Sequence, residues 1–240
     1  SEGQRPPMVF VGGLGLSGEE RLPADAFPTF LHEWGSEDVY LEPAYRAAAV
    51  RVEQRYRSEG FLDARVIPLE PLTDPEARTI TPRFRVEEGV QSILAAVGIA
   101  GEKALDEEDI REVFLLEAGD PVNERLVEET RQAIIDLYGE TGYLFAQVER
   151  EVEFWEDRTR GSLNFVVTEG PQVRVQSIEI AGNADTATSL VLGILSFSEG
   201  DVFTPDAAQE SERRLLRLGV FQSASVSMVA PDVVDADKTI

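Results

Sequence analysis

One pattern recurs along the chain and limits what it can fold into. Its cleanest copy is residues 142–170, GYLFAQVEREVEFWEDRTRGSLNFVVTEG, which reads as two β-strands joined by a polar turn. In the first run Ala146, Val148, Val152 and Phe154 fall on one face and Gln147, Glu149, Glu151 and Glu153 on the other. That is the period-2 alternation of a half-buried strand. Leu163, Phe165 and Val167 alternate in the same way in the second run, and the charged stretch 156–161, ending in glycine, reads as the connection. Upstream, Gly60-Phe61 opens such a hairpin and Phe84-Arg85-Val86-Glu87-Glu88-Gly89 closes it. Downstream, Gly219-Val220-Phe221 opens a third. A repeat of this size predicts a row of like units, each with its own small core.

What precedes each hairpin fits that prediction. In the second unit residues 92–99 read as a strand. A short helix follows, with Asp106 as N-cap and Ile110, Val113 and Phe114 on its apolar face. Gly119-Asp120-Pro121 breaks it, and Asn123 caps a longer helix striped with Leu126, Val127, Thr130, Ala133, Ile134, Leu137 and Tyr138. The first unit shows helical spacing at Phe27, Phe30, Leu31 and Trp34, then at Tyr45, Ala48, Ala49, Val52 and Tyr56. The third shows a strand at Val175 and Ile178, helices over 190–195 and after Thr204-Pro205, and an alternating run at 221–229. The units start near residues 8, 90 and 173, a period of about 82. The expected fold is α+β: three tandem β-α-α-β-β modules over 8–89, 90–170 and 171–240, the last lacking its final strand because the chain stops at Ile240. The connectors Glu88-Gly89-Val90 and Glu169-Gly170-Pro171 are short, which restricts swivelling and predicts an elongated array with Glu88, Gly89, Glu169, Gly170 and Pro171 as hinges. Pro68 fits an edge strand and Pro82 a strand start.

Composition narrows the function. A net charge of −23 argues against nucleic acid and against direct adhesion to anionic lipid. The acidic residues are scattered, which reads as solubility. There are no cysteines, hence no disulfides or thiolate metal sites. No stretch approaches the roughly 20 apolar residues of a membrane helix. The chain begins at Ser1 without an initiator methionine or signal peptide, as an excised fragment would. Gly13, Gly15 and Gly18 fit a G-x-G-x-x-G pattern but lead into Glu19-Glu20-Arg21-Leu22-Pro23, a poor helix start for a nucleotide loop. His32, the single histidine, stands on a predicted helix beside Leu31 and Trp34, where a structural role is expected. Asp106-Glu107-Glu108-Asp109 reads as an acidic first turn and lacks the spacing of a calcium loop. No catalytic, cofactor or metal residue is expected. Tyr138 and Tyr143 should close a helix–strand core, and Trp155 should stand exposed at a hairpin tip.

Each unit resembles a POTRA (polypeptide-transport-associated) domain. The residues that carry the resemblance are Ile178-Glu179-Ile180-Ala181-Gly182-Asn183, Gly200-Asp201-Val202-Phe203-Thr204 and Leu215-Leu216-Arg217-Leu218-Gly219-Val220-Phe221 in the third unit. In the second they are Gly119-Asp120-Pro121-Val122-Asn123, Leu137-Tyr138 with Gly142-Tyr143, and Val166-Val167-Thr168-Glu169-Gly170. In the first they are Tyr56 with Gly60-Phe61, and residues 84–89. Such modules fold as a three-stranded mixed sheet with two helices on one face. Tandem copies resemble the periplasmic arm of outer-membrane β-barrel assembly factors, BamA-like or TamA-like. The resemblance implies a location at the periplasmic face of a Gram-negative outer membrane and a membrane β-barrel beyond Ile240. It also implies unfolded outer-membrane proteins and accessory periplasmic lipoproteins as partners. A two-partner-secretion arm or a client-free adaptor are the alternatives; the first typically carries two modules and the second one. The implied mechanism is addition of an extended polypeptide to an exposed sheet edge. The expected edges are 61–69, 143–154 and 221–229, presenting Asp63 and Arg65; Tyr143, Phe145, Gln147, Glu149 and Glu151; and Ser223, Ser225 and Ser227.

Overall fold

The computed structural model of the protein describes residues 10–11, 15–17, 42–76, 79–183 and 186–240. The predicted helix at 24–34 with His32, and Gly13 and Gly18, lie outside them. Contacts divide the chain into two units: Ser1–Ala96 with Glu117–Arg125 and Glu153–Ser162, and Val97–Leu116 with Leu126–Val152 and Leu163–Ile240.

In the first repeat, helix α1 (Glu42–Ser58) turns Tyr45, Ala48, Ala49, Val52 and Tyr56 inward at helical spacing. They form one core with Phe61, Ala64, Val66, Phe84 and Val86. Strands β1 (Phe10–Val11) and β2 (Gly15–Ser17) run parallel to β4 (Thr79–Glu87), and β3 (Arg65–Asp74) runs antiparallel to it. Gly15 therefore belongs to a strand. Pro82 does not start a strand as expected: it sits inside β4. It is tolerated there because pairing breaks around it. β1 matches Thr79 and Ile80, β2 resumes at Arg83, and the β3 register shifts between Leu69 and Leu72. A proline cannot donate to a ladder and is placed at a bulge. The bulge is stitched by Arg83, whose Nε and Nη2 donate to the Glu70 carbonyl at 3.1 and 2.8 Å. The Tyr45 hydroxyl, from α1, lies 2.7 Å from the Leu69 carbonyl and accepts the Arg83 N–H at 3.3 Å.

The second repeat contains β5 (Ile93–Ala100), α2 (Glu107–Arg111), α3 (Glu124–Glu140), β6 (Gln147–Phe154) and β7 (Arg160–Thr168). The sheet order is β5-β7-β6. Leu163, Phe165 and Val167 of β7 are buried, as are Val127, Ile134 and Tyr138 of α3. Strand β6 starts later than the sequence predicts. Residues 143–146 form a turn because the Tyr143 N–H returns to the Tyr138 carbonyl at 2.9 Å and the Ala146 N–H to Tyr143 at 3.1 Å. Residues 61–64 in the first repeat do the same, with Phe61 N–H on Tyr56 and Ala64 N–H on Phe61. At the hairpin tip the left-handed residue is Arg158 (φ 56°). Gly161 stands inside β7, where a Cβ would come within 2.9 Å of the Phe154 ring.

The third repeat pairs β8 (Arg174–Ser177) in parallel with β9 (Asp237–Thr239), so a short last strand does form, and it carries α4 (Thr188–Leu192) and α5 (Pro205–Arg217). Its core holds Val173, Val175, Phe197, Phe203, Ala208 and Ile240. The strand expected at 221–229 is not formed. The Val226 N–H donates to Glu212 Oε1 of α5 at 2.7 Å, diverting a ladder donor to a side chain. The Val229 N–H does reach the Thr239 carbonyl, at 2.8 Å.

Hydrogen bonds recur between the second and third repeats 81 positions apart. Leu94 N–H bonds the Asp120 carbonyl and Val175 N–H that of Asp201; Gly119 returns to Leu94 and Gly200 to Val175. Asp120 accepts the Glu117 N–H and Asp201 the Ser198 N–H, both at 2.8 Å. Thr130 Oγ1 accepts the Leu115 N–H at 3.1 Å, and Ser211 Oγ the Ser196 N–H at 2.9 Å. Both hydroxyls are fully buried. Thr130→Val keeps the shape and strands the Leu115 donor. It should cost about 1–3 kcal/mol in urea denaturation, whereas Thr130→Ser should cost much less.

Candidate polypeptide-docking edges and the module junctions

Several described strands stand at sheet edges, and two of them carry expected docking residues. Among the described residues β3 pairs only with β4, and β6 only with β7. Gln147, Glu149, Glu151 and Glu153 are exposed along β6, and Arg65, Ile67, Pro68 and Glu70 along β3. An edge offers unpaired N–H and C=O groups, and charge or proline along it discourages indiscriminate pairing. Of the expected docking residues, Gln147, Glu149, Glu151 and Arg65 therefore sit on edge strands. Tyr143 does not: its ring packs edge-on against Tyr138, centroids 6.0 Å apart. Phe145 packs against the third repeat's core and lies under the Lys238 ammonium, 5.3 Å from its ring centre. Asp63 is in the 61–64 turn, paired with Arg158 at 3.0 Å. Ser223, Ser225 and Ser227 are exposed but belong to no strand.

The β6–β7 tip is built to reach back. Asp157 Oδ1 accepts both the N–H and the hydroxyl of Thr159, at 3.1 and 2.9 Å, which holds its carboxyl below the usual aspartate range. That turn exposes the Arg158 carbonyl to the Ser92 hydroxyl (2.7 Å) and its guanidinium to Asp63. Trp155, 52% exposed as expected at the tip, stacks under Arg160.

The junctions share one construction. In the first unit the turn after α1 places Gly60 at φ +88°, and its carbonyl accepts the Ser92 N–H at 2.9 Å. The Gln91 side-chain amide donates to the neighbouring Glu59 carbonyl at 2.9 Å. In the second unit Gly142 (φ +89°) accepts the Val173 N–H at 2.8 Å, and the Gln172 amide donates to the Thr141 carbonyl at 3.0 Å. The approach is close enough that a Cβ on Gly60 would lie 2.6 Å from the Ser92 carbonyl oxygen. Asn123, at the start of α3, adds a bond to the Ser58 carbonyl at 3.1 Å. Gln91 and Gln172 carry this contact, yet neither stood out in the sequence. The signal was there: both are the second residue after a repeated Glu-Gly pair.

The residues expected as hinges have these surroundings. Glu88 is 6% exposed. Glu169 accepts the N–H groups of Lys103 (2.6 Å) and Ala104 (2.8 Å) and the Tyr138 hydroxyl (3.0 Å). Burial pushes its carboxyl up, but these donors outweigh it and hold the group below the ordinary glutamate range. Tyr138 is pushed well above the usual tyrosine range, first by burial and then by Glu169, so it stays a donor. Gly89 and Gly170 hold positive φ of 75° and 69°. Pro171 is half-buried.

Two outcomes follow. Gly60→Ala meets backbone in a left-handed conformation and should cost at least ~2 kcal/mol in thermal denaturation, against about 1 for Gly119→Ala, which shares the positive φ but has open space around it. A carboxyl with a depressed folded pKa contributes stability above its unfolded pKa, about 4.3, and loses it as pH falls through the folded value. Urea midpoints taken down the acid limb should therefore drop less steeply in Glu169→Gln than in the parent chain.

The model of the POTRA family, described as a surface antigen variable number repeat, matches residues 93–170 and again 173–240. A Treponema pallidum protein described as a candidate outer membrane protein assembly factor is 29% identical over 201 residues, 81% of this chain and 23% of that protein. Outer membrane protein assembly factor BamA of Neorickettsia risticii is 25% identical over 173 residues, 71% of this chain and 23% of BamA. The chain thus spans about a quarter of the length of these relatives. The crystal structure of Haemophilus influenzae BamA POTRA3-5 superposes with a TM-score of 0.58 at 18% identity, covering 99% of this chain and 97% of that one. With the family model matching twice over more than half its length, the chain belongs to the POTRA family and carries its domains in tandem.

Proposed function

We propose that this chain is part of the periplasmic arm of an outer-membrane β-barrel assembly factor. In that role it docks unfolded barrel proteins and accessory lipoproteins at the periplasmic face of a Gram-negative outer membrane. The observation that carries the reading is the pair of open edge strands, β3 and β6, on tandem POTRA modules whose relatives are named as assembly factors. Backbone pairing at such an edge is nearly blind to client sequence, which suits a scaffold that receives many different strands. The row Gln147, Glu149, Glu151 and Glu153 would repel acidic segments and accept neutral or basic ones. The arm works by positioning; no bond is made or broken.

A photo-crosslinker at Glu149 or Glu151, and another at Arg65, should capture a urea-unfolded outer-membrane barrel protein above the background given by a scrambled peptide. Crosslinkers at Ser223 and Ser225, which lie on no strand, should stay near that background. Equal yields at all these positions would sink edge addition as the mode of capture.

A further inference from the structure

The first junction holds a cavity whose chemistry the second does not repeat. Where the end of α1 meets the start of α3, an open cavity of 840 Å³ has Arg55, Arg57 and Arg125 in its wall, with Glu59 and Glu124 beside them. Gln54 and Ser58 add an amide and a hydroxyl, and Leu62 an apolar side chain. All of these residues lie within the first of the two units. Sites for small ligands usually enclose about 300–1,000 Å³.

The repeat supplies an internal comparison. Gly60 matches Gly142 in the turn after one helix, and Asp120 matches Asp201 before the next, so each wall position has a counterpart. Arg55, Arg57 and Arg125 become Leu137, Gly139 and Asp206, and Gln54 and Ser58 become Asp136 and Glu140. Leu62 stays leucine, as Leu144. Both junctions keep the left-handed glycine, the glutamine amide and the backbone bond that follows it. The fold therefore builds this junction without arginine. Nor do ion pairs along the helix account for them. Arg55 lies 2.5 Å from Glu59 and Arg57 2.9 Å from Glu53, and exposed pairs of this kind contribute little. A guanidinium also carries five donors, more than one carboxylate can take. In a chain of net charge −23, three such groups around one cavity concentrate positive charge where an anion can enter.

We propose that this cavity binds an acidic peptide segment of a partner protein. Arg57 and Arg125 take its carboxylates, which match the planar fork of arginine. The Gln54 amide and the Ser58 hydroxyl suit its backbone groups, and Leu62 meets an apolar part of it. That mixed wall is what selects a peptide, since a bare phosphate has no use for the amide and the leucine together. The charge of −23 opposes approach to an anionic lipid surface. The cavity lies at helix ends and not on a sheet edge, so the proposal stands apart from strand capture at β3 and β6.

The test uses the full 240-residue chain, 15N-labelled, and a capped hexapeptide of alternating glutamate and glycine, titrated to about ten millimolar so that weak binding registers. The peptide should give saturable amide shifts at 54–62 and 123–125 that weaken as salt rises. The same peptide with glutamine in place of glutamate should bind about tenfold more weakly, the loss expected when charge-assisted bonds become neutral ones. Arg57→Gln and Arg125→Gln, at exposed positions, should leave the rest of the amide spectrum unchanged and each weaken the glutamate peptide about threefold or more. Residues 136–144 and 204–206, the counterpart junction, should not shift. The proposal is overturned by no saturable shift at 54–62, by equal binding of the glutamine peptide, or by equal shifts at 136–144. It is also overturned if inorganic phosphate binds as tightly as the peptide, or if vesicles of anionic phospholipid move these amides and the peptide does not.

Discussion

A left-handed glycine at the end of a helix is the constraint on which the rest of this chain depends. A helix ends with unsatisfied carbonyls, and a glycine in the left-handed region lets the chain fold back across them. Here the same residue leaves room for another backbone. Gly60 and Gly142 each present a carbonyl to the N–H that begins the next module, with the neighbouring carbonyl taken by a glutamine amide. The end of one module's helix is thus the start of the next module's sheet. The left-handed φ of each glycine is not ornamental: at Gly60 the incoming carbonyl oxygen occupies the space a side chain would need.

Inside the second and third modules a second set of bonds recurs. A buried hydroxyl on the long helix, Thr130 or Ser211, accepts the N–H at the end of the preceding short helix or loop. An aspartate, Asp120 or Asp201, closes the connection to the long helix. The residue types differ between copies while the bonds persist, because what the fold requires is an acceptor at a given place. Glu169 applies the same logic at a connector: three donors converge on one carboxylate.

How much of this could be read beforehand depends on whether a feature is periodic. The stripe of α1 from Tyr45 to Tyr56 and the alternation of β7 are local patterns, and both elements lie where the pattern put them. The features that periodicity does not encode were missed. Residues 143–146 alternate like a strand but turn, because Tyr143 bonds backwards to the helix. Residues 221–229 alternate as well, yet Val226 gives its donor to Glu212, a side chain that lies fourteen residues away. Pro82 looked like a boundary because its tolerance rests on register breaks in two neighbouring strands. The docking residues divide the same way: Gln147, Glu149, Glu151 and Arg65 sit on edges, whereas Asp63 and Phe145 are occupied by Arg158 and by the third repeat's core.

The bulge beside Pro82 has a consequence for what β3 can accommodate. Leu69 faces Arg83 and Leu72 faces Thr81, so three steps along β3 match two along β4. The extra residue reverses which side chains point to which face, and it rotates the row of hydrogen-bonding groups on the open side. The ten-residue strand therefore presents two short templates out of phase, one over 65–69 and one over 72–74. A straight, regular segment laid along it can stay in step with only one of them. An outer edge of ten residues thus behaves, toward a passing chain, as a ruler of about five.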